Sequence, residues 1–356
     1  MAAAWGFGAL LLSTEAKLEL SELLIRHAGE QPEIAALATE AFPVPLPGMS
    51  LHDNYVDFET GGWRRWDGLL AGPAPGEGGQ GGGPSAPVAG AAADGGAILI
   101  PTEDTLRFAF LSSQLVRREM PVCLLGGTGT GKTSIMKEIL DKAGEAAGWS
   151  QGQLVLSATI ATRGLQGFLE SKLEKQRMGI YGPKAPAKKL VCFLDDLGMP
   201  AREKYGAQPP LELLRALLGE GGLYDLKTTR RKRVIDVILV GAMSIPTGGR
   251  SFPTNRLLRH FSLVCLPELS AKTMQLVFRQ ILDLGLLDHD EAWRERTGGL
   301  TEMSVALYLQ VSAALRPTPA KSHYQFNVRQ LTELMQGLLM VKASSVTESA
   351  RKPELL

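Results

Sequence analysis

Val122-Cys123-Leu124-Leu125-Gly126-Gly127-Thr128-Gly129-Thr130-Gly131-Lys132-Thr133 decides the fold. It opens as a short apolar strand, turns through glycines, and runs into the helical stretch Ser134–Lys142. Residues Gly126, Gly127, Thr128, Gly129, Thr130, Gly131, Lys132 and Thr133 fit the P-loop pattern in the context that pattern needs, between strand and helix. Glycines let backbone amides fold around a phosphate with no Cβ in the way. The helix starting near Lys132 aims its free amides and positive dipole end at the same anion. Lys132 is placed to reach the β- and γ-phosphates, and the Thr133 hydroxyl to ligate Mg²⁺.

A P-loop site needs a second part, an acidic residue at the end of a buried strand. Leu190-Val191-Cys192-Phe193-Leu194-Asp195-Asp196 supplies it. Asp195 is the candidate to hold Mg²⁺, and Asp196 stands where a water-activating carboxylate belongs. Further buried-strand candidates are Leu154–Leu156, Val234–Val240 and Leu263–Leu266, with helical patterns between most of them. That alternation predicts an α/β fold with a mainly parallel sheet and helices on both faces. After Pro267 the helical stretches Ala271–Leu287, Ser304–Ala314 and Val328–Val341 predict a small helical bundle.

The flanks are simpler. Residues 10–40 read as helical until Pro43, Pro45 and Pro47 close the segment. Leu51–Trp66, with Tyr55, Phe58, Trp63 and Trp66, reads as an ordered connector. Residues 71–97, almost wholly Gly, Ala and Pro, have too few large apolar groups to offset their ordering entropy and are expected to form a flexible loop. The apolar start, Ala2–Leu12, lacks the basic n-region and cleavage site of a signal peptide.

Composition narrows the partners. Lys and Arg total 38 against 37 Asp and Glu, so the net charge of +1 gives no electrostatic reason to expect nucleic acid or an anionic membrane. No apolar run is long enough to span a bilayer as a helix. The 3 cysteines, Cys123, Cys192 and Cys265, build neither a disulfide framework nor a zinc spacing, which points to a reducing compartment. His27, His52, His260, His289 and His323 show no ligand spacing either. Arg230-Arg231-Lys232-Arg233 reads as a solvated hairpin rather than a nucleic-acid patch.

The P-loop, the Asp195-Asp196 pair and the helical region resemble an AAA+ ATPase module: a P-loop NTPase core followed by a small α-helical lid. Longer runs narrow the likeness. Leu194–Ala201, Glu203-Lys204-Tyr205-Gly206-Ala207-Gln208-Pro209-Pro210, Glu212–Arg215 and Gly221–Asp225 are similar to the dynein heavy chain, specifically the third AAA+ module of axonemal-type chains. Asp57-Phe58-Glu59, Gly62-Trp63 and Ile100–Thr105 resemble the opening of that module, and Arg316–Tyr324 with Phe326–Arg329 resemble its lid. The resemblance implies this division: 1–48, the helical end of a preceding AAA+ module; 49–97, the connector and its Gly/Ala/Pro-rich loop; 98–268, the nucleotide-binding core; 269–345, the lid; 346–356, a tail. The abrupt ends lead us to expect a piece of a longer protein.

The resemblance also assigns roles. Ile100, Pro101 and Thr102 would line the adenine of ATP or ADP, mainly through backbone. Ser244, where many AAA+ proteins have Asn, would orient the attacking water, and Arg329 would sense the γ-phosphate. Arg256 and Arg259 look like inter-module arginines directed at the preceding module's nucleotide. Asp196 stands where Glu is usual, one methylene or about 1.5 Å shorter, so slow hydrolysis is predicted. The implied partners are neighbouring AAA+ modules of the same heavy chain and, through the complete protein, dynein intermediate and light chains and microtubules. The implied location is the cytoplasm, the cytoskeleton and the axoneme of a cilium or flagellum. Two alternatives remain beside a slow regulatory motor module: a structural AAA+ module with permanently bound nucleotide, and a free-standing P-loop ATPase switch.

Overall fold

A computed structural model describes residues 13–30, 50–56, 63–66, 100–245, 251–287, 291–321 and 323–340. Along the chain come helix α1 (Thr14–Glu30), a 3-10 turn (Leu51–Asp53), and the ribbon strands β1 (Asn54–Val56) and β2 (Trp63–Arg65). Then follow α2 (Glu103–Arg117), β3 (Val122–Gly126), α3 (Lys132–Ala147), β4 (Ser150–Val155), α4 (Thr162–Lys172), β5 (Leu173–Arg177), β6 (Ile180–Pro183) and β7 (Leu190–Asp195). Next are α5 (Pro209–Glu220), β8 (Gly222–Tyr224), β9 (Arg231–Val234), β10 (Val237–Ser244), α6 (Asn255–Leu258) and β11 (Ser262–Leu266). The last helices are α7 (Ala271–Gly285), α8 (Glu291–Arg294), α9 (Thr297–Ala314) and α10 (Val328–Leu339). The described residues divide into two compact units: those up to Gly127 together with those of Gly131–Pro267, and those from Glu268 together with the loop tip Thr128–Thr130.

The first unit is built on a 5-stranded sheet in the order β11-β3-β10-β7-β4, every pair parallel. Side chains alternate across each strand, so β3 sends Cys123 and Leu125 to one face and Val122 and Leu124 to the other. The first face is covered by Leu165 and Leu169 of α4, Leu211 and Leu214 of α5, and Leu257 of α6. The second is covered by Phe108 and Val116 of α2 and Ile135, Met136 and Ile139 of α3. Burial on both faces is why β3 and the body of β7 are unbroken apolar runs rather than alternating ones.

One strand expectation needs correction. Val234–Val240 is not a single strand: it breaks at Ile235-Asp236, and Asp236 takes a left-handed φ of 58°. Val234 thereby ends β9 in a separate 4-stranded sheet, order β5-β6-β9-β8, while Val237 begins β10 in the large sheet. Asp is among the few residues that tolerate this backbone, so an apolar-looking run conceals a turn. The edge strand β4 also differs, starting at Ser150 and ending at Val155, one residue before Leu156.

The connector is tied to the core by specific groups. Trp66 is 1% exposed, donates its indole N–H to the His52 carbonyl (2.9 Å), and packs against Tyr55 and Phe110 at ring distances of 4.7 and 5.4 Å. Buried Arg107 of α2 meets Asp53 at 3.2 Å and Glu103 at 2.7 Å. In the second unit, Met274, Phe278 and Leu282 line one side of α7 at a spacing of four and pack with Val305, Leu331 and Met335. Helix α9 begins at Thr297 rather than Ser304. Residues 1–12, 71–97 and 346–356, the three prolines at 43–47, Phe58 and Val341 lie outside the described residues.

Candidate functional site

The carboxyl ends of the parallel strands bring the predicted groups together. β10 lies between β3 and β7, and its last residue, Ser244, pairs in register with Gly126, the first residue of the P-loop. Asp195 closes β7 on the other side of β10. Ligand sites in open α/β sheets form at this end of the strands.

The P-loop conformation depends on glycine. Gly129 and Gly131 have φ of 86° and 84°, backbone that a Cβ would strain. A Cβ at Gly131 would point into space with no atom within 4 Å, so the backbone there is open to a ligand. The first turn of α3 carries no acidic residue, leaving the positive end of this helix uncompensated from within the turn. The buried Lys132 ammonium donates to the carbonyls of Gly126 (3.1 Å) and Gly127 (2.7 Å), which holds its charge over the loop.

Thr133 and Asp195 form the second part. The Thr133 hydroxyl donates to Asp195 Oδ2 at 2.8 Å, and Asp195 Oδ1 accepts the backbone N–H of Asp196 at 3.0 Å. A hydroxyl and a carboxylate converging at a helix start are hard oxygen donors of the kind a small divalent cation takes. The loop backbone open at Gly131, the enclosed lysine and this oxygen pair together fit a nucleotide phosphate chain.

Asp196 is half-buried and has φ of 57°; its carbonyl accepts from Met199 N–H (2.9 Å) in a tight turn. Behind it, Leu197 is fully buried against Gly241 of β10, where a Cβ would overlap the Leu197 side chain. Sequence reasoning missed Gly241, although a lone glycine inside an apolar strand is a known mark of close approach. Ile100 and Thr102 are buried and Pro101 is half-buried. The Thr102 hydroxyl caps α2, accepting from Thr105 N–H at 3.2 Å, so its side chain is committed to the helix start. Arg256 and Arg259 are exposed on and just after α6, and Arg259 Nε lies 3.5 Å from His260 Nε2. Arg329 is exposed at the start of α10, where its backbone N–H donates to the Asn327 cap (2.8 Å). The arrangement brings Gly126, Lys132, Thr133, Asp195, Asp196 and Ser244 to one end of one sheet, within the first unit.

Burial pushes the Cys123 thiol well up and the Cys192 thiol up to about 12. Both therefore behave as small hydrophobes of the sheet rather than nucleophiles. Among the described residues no group of three or more His, Cys, Asp or Glu side chains is placed to hold a metal, and no helix is long and apolar enough to cross a membrane.

A parallel sheet carrying a P-loop and an acidic strand end, with a helical unit after it, defines a nucleotide-binding P-loop AAA+ module. Residues 91–269 match the family model described as "P-loop containing dynein motor region", and residues 278–355 match "Dynein heavy chain, ATPase lid domain". The chain belongs to the dynein heavy-chain family. It is 40% identical over 252 residues to dynein axonemal heavy chain 6 of Homo sapiens, covering 70% of this chain and 6% of that one. It is 38% identical over 268 residues to dynein axonemal heavy chain 1 of Homo sapiens, covering 71% and 6%. Against dynein axonemal heavy chain 12 of Rattus norvegicus it is 36% identical over 251 residues, covering 70% and 8%. The chain thus spans well under a tenth of the length of these relatives.

Proposed function

We propose that this chain is an ATP-binding module of an axonemal dynein heavy chain, the third of its AAA+ modules, with slow, regulatory hydrolysis. The observation that carries the reading is the Thr133–Asp195 contact at 2.8 Å beside P-loop backbone that is open at Gly131. Lys132 and the loop amides bind the phosphates, and Ile100–Thr102 supply backbone for the adenine. Mg²⁺, held by Thr133 and Asp195, would neutralise charge on the β- and γ-oxygens. Asp196 takes the proton of an attacking water that Ser244 orients. Arg329 answers to the γ-phosphate, while Arg256 and Arg259 serve the preceding module's nucleotide.

The division 1–48, 49–97, 98–268, 269–345 and 346–356 belongs to this proposal. So do the partners (neighbouring AAA+ modules and, through a complete heavy chain, intermediate and light chains and microtubules) and the location in cytoplasm and axoneme. The overall activity would be minus-end-directed movement in a cilium or flagellum. Asp196 and Ser244, standing where Glu and Asn are more usual, favour a second reading: a structural module that keeps its nucleotide permanently. Nucleotide content after gentle purification, followed by exchange against labelled ATP, separates the two. Weak retention with rapid exchange supports the cycling module; stoichiometric ADP or ATP that does not exchange supports the structural one.

A further inference from the structure

The 4-stranded sheet β5-β6-β9-β8 has two chemically different faces. On β9, Lys232 and Val234 turn inward while Arg231 and Arg233 are exposed. Lys232 is fully engaged: its ammonium lies 2.6 Å from Asp225, 3.2 Å from Glu170 and 5.4 Å from the centre of the Tyr181 ring. Its hydrogen bond holds the Asp225 carboxyl well below the usual carboxylate range. The outward arginines are held differently: the Arg231 guanidinium donates to the Glu220 backbone carbonyl at 2.5 Å, which leaves its charge unneutralised. Among the described residues no carboxylate lies within 4 Å of Arg231, Arg233 or Arg177, although Glu220 and Asp236 line cavities on the same side.

Strand register puts these arginines together. Arg177 stands opposite Ile180, Ile180 opposite Arg233, and Arg233 opposite Gly222; in the next row Arg231 stands opposite Tyr224. Apolar surface lies among them: Tyr224 is 57% exposed, and Met178 at the β5–β6 tip is 90% exposed. Ile235 is a shared wall of two cavities, one of about 480 Å³ lined by Arg231 and Arg233, the other of about 340 Å³ lined by Arg177 and Lys188. In a chain of net charge +1 this is a local concentration of guanidinium groups that no carboxylate neutralises, not a general excess. Guanidinium forks match carboxylates bidentately, and alternate residues on β9 sit about 7 Å apart, the repeat of alternate side chains on an extended peptide.

We propose that this outer face is a docking surface for an acidic, extended segment of a partner polypeptide, with carboxylates on Arg177, Arg231 and Arg233 and an apolar side chain among Met178, Ile180 and Ile235. The interleaved apolar side chains suit a peptide, which can offer an apolar side chain between carboxylates, better than a continuous phosphate backbone. The surface is independent of the P-loop.

The test is fluorescence anisotropy with a short labelled peptide carrying glutamates at alternate positions and one leucine, titrated with the full chain. The expected result is salt-sensitive binding that weakens at least about tenfold in the double variant Arg231→Glu/Arg233→Glu and in Arg177→Glu, as loss of charge-assisted hydrogen bonds requires. A control with equal charge change elsewhere, Arg163→Glu/Lys204→Glu, is expected to bind as the parent does, as is Lys132→Ala, and circular dichroism checks folding of each. Equal binding by the arginine variants and the control overturns the proposal. So does binding of the glutamine version of the peptide as tight as the glutamate one, or tighter binding of a single-stranded oligonucleotide of equal charge.

Discussion

Asp196 carries both the catalytic proposal and a local strain, and substitutions separate the two. Its φ of 57° is left-handed backbone, which costs an ordinary side chain about 1–2 kcal/mol but which Asp and Asn tolerate. Asp196→Asn therefore keeps the turn and removes only the carboxylate. Its thermal midpoint is expected to stay within about 1 °C of the parent, with nucleotide affinity unchanged and single-turnover hydrolysis at least about 100-fold slower, the usual size of a general-base effect. Asp196→Glu does the opposite: the carboxylate reaches about 1.5 Å farther, so hydrolysis is expected to quicken. Losing the tolerance of Asp for this backbone costs about 1 kcal/mol, read as a midpoint lowered by about 2–4 °C. Asp196→Gly is expected to raise the midpoint while abolishing hydrolysis. Hydrolysis by Asp196→Asn at the parental rate refutes the role as base. A midpoint for Asp196→Glu equal to or above the parent refutes the strain argument.

Two further outcomes follow from the packed sheet. Gly241→Ala would drive a methyl into Leu197 and to 3.4 Å from Cys123 Sγ, so unfolding stability is expected to fall by about 1–3 kcal/mol, measured as a lower urea midpoint. The thiols of Cys123 and Cys192 ionise in the unfolded chain near 9 and only at much higher pH when folded, so their contribution to stability is full below about pH 9 and is lost as pH rises toward about 12. Denaturation series between pH 8 and 11 are expected to show this decline, and a thiol reagent at pH 8 is expected to leave both thiols unmodified until the chain unfolds.

The P-loop and the acidic strand end were legible because their chemistry is local: glycines, a lysine and a hydroxyl at fixed spacing, and an apolar run ending in carboxylates. The sheet was legible where strands are buried on both faces, as in β3 and β7, because burial there leaves an unbroken apolar signature. The second sheet was legible only at Arg230–Arg233, read as a solvated hairpin, where β8 and β9 pair antiparallel. β5 reads Leu173-Glu174-Lys175-Gln176-Arg177, with no apolar alternation to mark it, since only its Leu173 end reaches the core. The division of β9 from β10 depends on the left-handed backbone of Asp236, a tertiary preference that an apolar run conceals. The turn at Asp196 is hidden for the same reason. The start of α9 was missed because Gly298 and Gly299 are poor helix formers that this chain nonetheless accommodates in the first turn.

The most direct test of nucleotide-dependent function is equilibrium binding of fluorescent ATP and ADP with Mg²⁺ to the parent chain and to Lys132→Ala, with turnover measured on the same samples. Binding that weakens at least about tenfold in the variant, with parental turnover far below about one per second, is the expected result. Equal binding by a folded Lys132→Ala chain would contradict the P-loop as the nucleotide site, and turnover well above about one per second would contradict a slow, regulatory module.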